Sequence, residues 1–306
     1  MLHIKKLGDA VELFKALGSE LRIQIVNLLL EHGEMNMNEI ASKLGITAGA
    51  LTSHIRKLEE SGIIKVSSEH GSHGNQKLCS VEVDKILIDV MSGDNAADPK
   101  SYTVEIPIGH YNNYAVSPTC GLSTTKHLIG EVDDPRYFAH PDHVKAGILW
   151  LTKGFVEYRI PNMIPAGQKL DRLMLSFEIS SEAPGVNDNW PSDIQFYLND
   201  RCIGKWTSPG DFGDVHGVFT PDWWYPHWNQ YGLLKMLVVN QSGTFIDGLR
   251  ISEVTAADLN LCHQGELKLR FAVDEQSGHV GGLTLFGQGF GNYNQEISAQ
   301  IHYTSV

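Results

Sequence analysis

The densest chemistry in these 306 residues lies in one short stretch. Asp222-Trp223-Trp224-Tyr225-Pro226-His227-Trp228-Asn229-Gln230-Tyr231 puts five aromatic rings into a turn-like segment. Asp211, Asp214 and His216 precede it, and Asn189-Trp190-Pro191 lies in another loop. Planar rings stack on the apolar faces of sugar rings, while Asp, Asn and His hydrogen-bond hydroxyls. Such a pocket needs few charges and many rings. The expected ligand-binding set is Trp190, Asp211, Asp214, His216, Trp223, Trp224, Tyr225, His227 and Trp228. Two alternatives stay open: the rings could plug the end of a β-sandwich, or form a dimer interface.

Other chemistry is weaker. Asp133, Asp134, His140, Asp142 and His143 carry metal-ligating atoms, but Pro135 and Pro141 mark ordinary turns there. Gly287-Gln288-Gly289-Phe290-Gly291-Asn292 follows one strand and leads into another, so no helix N-terminus is on offer for a phosphate. His70 and His73 read as solvated loop histidines. No Ser/His/Asp or Cys/His signature is present, and no carboxylate pair can be assigned as acid and base without geometry. No metal, cofactor or catalytic residue is expected. A glycan-active hydrolase or isomerase is kept as the alternative.

The elements that must position the aromatic loop have a period of two. Leu173, Leu175, Phe177 and Ile179 alternate, as do Ile194, Phe196 and Leu198. So do Leu267, Leu269, Phe271 and Val273, and then Ile297, Ala299, Ile301 and Tyr303. Further strands are expected at 102–108, 147–151, 155–160, 201–206, 233–239 and 280–286. Short strands and Gly/Pro/Asp turns argue a large antiparallel β-sandwich, similar in outline to jelly-roll, galactose-binding-like domains.

The first ninety residues are built differently. Leu7, Val11, Phe14 and Leu17 recur at helix spacing. Leu21, Ile25, Leu28 and Leu29 give a second helix a buried stripe. Asn36 and Glu39 read as a capping box opening a short third helix that Gly45 ends. Thr47 caps a fourth, over about 48–61, whose inner face is Leu51, Ile55 and Leu58. Gly49, Thr52, Ser53 and Arg56 share another face, small and polar enough for a major groove. Two strands, at 63–68 and 76–83, complete a winged helix-turn-helix, so the whole chain reads as a multidomain α+β protein.

Residues 10–83 resemble the ArsR-like transcriptional repressors. The resemblance is carried by Ala16-Leu17-Gly18-Ser19-Glu20-Leu21-Arg22, by Asn38-Glu39-Ile40-Ala41-Ser42-Lys43-Leu44-Gly45-Ile46-Thr47, and by the run from Ala50 to Ile64. It implies a homodimer on a double-stranded DNA operator, with the fourth helices in successive major grooves about 34 Å apart. Ala48, Gly49, Thr52, Ser53 and Arg56 would then approach base edges. Lys43, Thr47, Lys57 and Lys77 would contact phosphates. Residues 36–45 hold no Cys and 84–91 no His, so the family's metal sensing is not carried over.

Charge separates the two halves. The net charge is −12. Residues 1–92 contribute −2, from 10 basic and 12 acidic side chains, and the remainder contributes −10. Of 27 aromatic rings only Phe14 precedes residue 93. The expected domains are 1–92, a linker at 93–101, and 102–306. No signal-like apolar run opens the sequence, no membrane-length span occurs, and the four cysteines form no C-x-x-C pair. A cytoplasmic regulator is expected: DNA-reading head, effector-sensing β-domain, no enzymatic activity. A β-domain used only for oligomerisation or protein interaction is the other alternative.

Overall fold

The computed structural model describes residues 2–4, 7–71, 74–83, 86–88, 100–263 and 265–306. They form two compact units, Met1–Ala97 and Asp98–Val306. Most of the expected linker, residues 93–99, lies outside the described residues, as does His73. No helix among the described residues is long and apolar enough to cross a membrane.

Unit 1 opens with β1 (Leu2–Ile4), α1 (Val11–Leu17) and α2 (Glu20–His32). It continues with β2 (Met35–Asn36), α3 (Met37–Leu44), α4 (Ala48–Glu60), β3 (Ile64–Gly71), β4 (Gly74–Val81) and β5 (Ile86–Ile88). The wing strands β3 and β4 pair antiparallel and reach further toward the tip than the sequence pattern suggests, so the backbone of His70 belongs to β3. β5 returns to pair in parallel with β1.

The core of unit 1 is Leu13, Ala16, Ile25, Leu29, Ile40, Leu51, Ile55, Leu58, Ile63 and Ile64, all almost fully buried. One helical set differs from expectation. Ala10, Leu13 and Ala16 face inward, while Leu7, Val11 and Phe14 are 42%, 45% and 49% exposed. Helix spacing identifies a face but not which side of it is covered. Arg22 is a second surprise, because it is buried. Its guanidinium donates to the carbonyls of Lys15 and Ala16, closing the C-terminus of α1 and fixing it to α2.

Unit 2 contains β6 (Lys100–Ile106), β7 (Asn113–Ser123), β8 (Ile148–Ile160), β9 (Gln168–Ser180), β10 (Ser192–Leu198) and β11 (Arg201–Ser208). β12 (Leu233–Asn240), β13 (Gly243–Ile246), β14 (Leu249–Ser252), β15 (Leu267–Val273), β16 (Leu283–Phe286) and β17 (Ile297–Ser305) follow. One sheet runs β7-β8-β15-β10-β11, and the other runs β6-β17-β9-β12-β13-β14. All these pairings are antiparallel. β16 pairs with β8 on one side and β9 on the other, joining the sheets into a nearly closed sandwich.

The period-two residues fill the space between the sheets. Leu173, Leu175, Phe177, Ile179, Phe196, Leu269, Phe271 and Ile301 are at most 1% exposed. Phe177 meets Phe271 edge-on at 4.9 Å. Two details escaped the pattern. Pro118 and Gly121 disguise β7, since proline interrupts a strand's ladder. The expected strands 147–151 and 155–160 are one continuous β8. Gly154 carries it through at φ +109°, where a Cβ would lie 1.8 Å from the carbonyl oxygen of Ala115.

All the α-helices among the described residues lie in unit 1, and all six Trp follow residue 93. Helical circular dichroism therefore follows one unit and Trp fluorescence the other. Arg22→Ala leaves two carbonyls without their donor and should lower the stability of unit 1 by about 1–3 kcal/mol. Urea unfolding should show the circular-dichroism transition moving to lower denaturant while the fluorescence transition stays. A shift in fluorescence alone would contradict this account.

Candidate nucleic-acid interface and ligand pocket

The helix-turn-helix is set by caps. The Asn36 side chain accepts from the backbone N–H of Asn38 and Glu39, both at 3.0 Å. Glu39 Oε2 accepts from the Asn36 N–H at 2.9 Å, completing the capping box. Gly45 ends α3 in the left-handed conformation, at φ +66°. Thr47 Oγ1 then accepts from Ala50 N–H and opens α4. Leu51, Ile55 and Leu58 anchor the inner face at 0–4% exposure.

The opposite face stands in solvent. Ala48, Gly49, Thr52, Ser53 and Arg56 are all exposed, as are Lys43, Thr47, Lys57 and Lys77. Gly49, Thr52, Ser53 and Arg56 form one stripe. Thr52 Oγ1 donates to Ala48 O and Ser53 Oγ to Ala50 O, so their oxygens are left outward as acceptors. Arg56 Nε donates to Glu60 Oε1 at 2.7 Å. That pair is exposed on both sides, so freeing Arg56 for a base or phosphate costs little. Lys43 Nζ lies 2.8 Å from His32 Nε2.

In unit 2 the aromatic stretch divides in two. Trp224 is 2% exposed and boxed by Trp150, Trp228, Trp223 and Phe290, with ring centroids 5.0–5.9 Å apart. Its indole N–H donates to Asn229 O. It is packed as a plug. Trp223 donates to Thr125 O, His216 Nε2 lies 2.8 Å from Thr220 O, and Asp214 accepts from Tyr231. Trp190, Tyr225 and His227 also lie off the cavity lining.

Trp228 and Asp211 do line a cavity of about 140 Å³, together with Thr119, Trp150, Glu182 and Asn229, while exposed Asp133 borders its mouth. β7 supplies Thr119, β8 supplies Trp150, and Glu182 follows the end of β9. Glu182 Oε1 accepts from Thr119 Oγ1 at 3.1 Å. Its Oε2 accepts from Asn229 Nδ2 at 3.0 Å and Thr284 Oγ1 at 3.1 Å. Burial, and then neighbouring Asp211, lift the Glu182 carboxyl well above its ordinary range, against the pull of the hydroxyls. Burial pushes Asp211 up to about 7 although the Ala183 N–H donates to its Oδ2.

Thr119, Trp150 and Glu182 were missed. Trp150 sits in a run that reads only as buried strand, and Glu182 follows Ser180-Ser181 with no partner nearby in sequence. The suggested metal residues scatter instead of converging. Asp134 pairs with Arg136, Asp142 with Lys145, and His143 Nδ1 lies 2.7 Å from Gly109 O. Among the described residues no group of three or more His, Cys, Asp or Glu could hold a metal ion. The Gly-rich loop does cradle an anion, but an internal one. The N–H groups of Asn292 and Tyr293, with that of Gly232, donate to Glu178 at 2.8–2.9 Å. Burial still lifts Glu178 to about 7.

Residues 19–65 match the family model for winged helix-turn-helix DNA-binding. An uncharacterized HTH-type transcriptional regulator of Methanocaldococcus jannaschii is 33% identical over 66 residues, 22% of this chain and 74% of the relative. The transcriptional activator HlyU of Vibrio cholerae is 34% identical over 65 residues, 21% of this chain. The chain spans 59% of that relative's length. Among solved structures, reduced HlyU from Vibrio cholerae is 27% identical over 25% of this chain and 76% of its own, with a TM-score of 0.22. A homodimeric winged helix-turn-helix domain from Mycobacterium bovis is 24% identical over 24% of this chain and 65% of its own, also at 0.22.

The raised carboxyls carry a pH signature. A carboxyl whose pKa is higher folded than unfolded keeps its proton longer in the fold. Its stabilising effect is full below the unfolded value, near 4, and is lost as pH rises through about 7. Glu178, Glu182 and Asp211 act in the same direction, and for Glu178 and Asp211 the effect is on the order of 3–4 kcal/mol each. The Trp-fluorescence unfolding midpoint should therefore fall between pH 4.5 and 7.5, and Asp211→Asn should flatten the fall. A midpoint that rises across this window would refute the assignment.

Proposed function

We propose, from the premise that this chain belongs to the HTH-type transcriptional regulators, that it is a homodimeric repressor whose β-unit senses a small polar ligand. The observation that carries the DNA-reading role is the exposed stripe Gly49, Thr52, Ser53 and Arg56 on a helix anchored from behind by Leu51, Ile55 and Leu58. On this reading Ala48 and the stripe approach base edges, while Lys43, Thr47, Lys57 and Lys77 meet phosphates. The near-neutral head leaves affinity to these few cations, so binding should be modest away from the operator.

The homodimer is supported by the uncovered stripe of Leu7, Val11 and Phe14, with Leu30 of α2 at 64% exposure. Apolar side chains left in water at this density favour a self-complementary contact. The sensing role is supported by the cavity bearing Asp211, Glu182, Trp150 and Trp228. Its tryptophans and carboxyls suit a hydroxylated ring of the sugar type. The ligand acts by binding one operator-spacing state better than another, since only such a difference shifts the equilibrium.

A second reading has one observation behind it. Buried carboxyls with raised pKa values beside a cavity are the tools of general acid chemistry. A glycan-active β-unit would turn over members of a glycan panel, and a sensor would not.

Arg56→Ala should weaken operator binding by about 1–3 kcal/mol in a fluorescence-anisotropy titration. Phe14→Glu should give a monomer in sedimentation and lose most operator affinity. Trp228→Ala should bind the operator normally but respond less to a releasing sugar. Unchanged operator affinity in both Arg56→Ala and Phe14→Glu would end the proposal.

A further inference from the structure

We propose that the ligand of the β-unit carries an ammonium group, which it places against Asp211 and Glu182. This rests on the sensing reading and narrows it to a chemical class. The argument is a comparison among the buried carboxyls of unit 2. Glu157 is paired with Arg270, at 2.6 Å. Asp193 receives Lys205 at 2.9 Å and Thr207 at 2.7 Å. Among the described residues Glu178 has no cation partner but is held by three backbone N–H groups. Glu182 and Asp211 are served less well. Among the described residues Glu182 has only the neutral donors of Thr119, Thr284 and Asn229. Asp211 is 1% exposed, its Oδ2 accepts from one amide, and its Oδ1 is buried with no hydrogen-bond partner.

These two are also the buried carboxyls that line the cavity. No Lys, Arg or His is among the lining residues, and Asp133 adds a third carboxyl at the mouth. The site therefore lacks what a ligand ammonium brings: a positive charge and three N–H donors. Trp150 and Trp228 complete the wall, and indole rings attract cations. The upward pKa shifts of Asp211 and Glu182 are those a nearby cation would reverse. At about 140 Å³ the cavity admits an amine head group or part of a small ring. An amino sugar would satisfy both the tryptophans and the carboxyls.

The test uses the full chain and compounds that differ in charge at a fixed skeleton. Glucosamine is compared with glucose and N-acetylglucosamine, and ethanolamine with ethylene glycol, by Trp-fluorescence thermal shift and by calorimetric titration. At least one amine should raise the unfolding temperature saturably and bind at least about tenfold more tightly than its neutral counterparts. Asp211→Asn should cancel that preference while keeping the Ala183 contact through its amide oxygen. If that variant folds poorly, the charged-against-neutral comparison on the unaltered chain decides alone. Equal binding of charged and neutral members, or no binding by either amine, overturns the inference. Binding by glucose without preference for the amine would do so while leaving the sensing reading intact.

Discussion

A carboxyl taken out of water must find a cation, find several N–H donors, or keep its proton. Much of the end of the β-unit is arranged around that choice. Glu178 draws the Gly-rich loop and the entry to β12 onto β9 through three amides. Gly291 sits so close that a Cβ there would lie 2.3 Å from the Glu178 carboxyl. Glu182 gathers Thr119 from β7, Thr284 from β16 and Asn229 from the aromatic loop. Asn229 O in turn holds the Trp224 indole. The aromatic loop is thus located by a buried acid rather than by its rings alone. The two less fully served acids, Glu182 and Asp211, line the cavity.

Unit 1 uses a different economy. Among the described residues few of its contacts are charged, and its shape comes from caps and from apolar residues at helix spacing. The capping box at Asn36, the left-handed Gly45 and the Thr47 cap fix the turn between α3 and α4 within a dozen residues. Burial of Leu51, Ile55 and Leu58 then determines which face of α4 is presented outward. Arg22, buried against the end of α1, is the exception, serving as a cap supplied from the neighbouring helix.

Local features were legible and long-range ones were not. Asn36, Glu39, Gly45 and Thr47 act on residues within four positions, so their roles could be read directly. The alternation of Leu173, Phe177, Phe271 and Ile301 likewise predicted buried strands, because each residue reports its own face. Phe14 and Val11 were ambiguous, since spacing alone does not distinguish a covered face from an uncovered one. Of the aromatic loop, Trp228 reached the cavity and Trp224 became a plug, although they stand four residues apart. The cavity's acids were the least visible part. Glu182 meets Thr119, Asn229 and Thr284 across 47 to 102 residues of sequence, and only strand pairing brings them together. Pro118 concealed the very strand that carries Thr119.

The parallel pairing of Leu2–Ile4 with Ile86–Ile88 defines a load path. β5 is the last described element of unit 1, so a load on its C-terminal end is borne by these three residue pairs. Their other member, β1, leads within a few residues to the helical segment bearing Leu7, Val11 and Phe14. α4 packs directly against α1, which carries Val11 and Phe14. Mechanically, a pull on β5 reaches the uncovered apolar stripe first and the helix that presents Arg56 next.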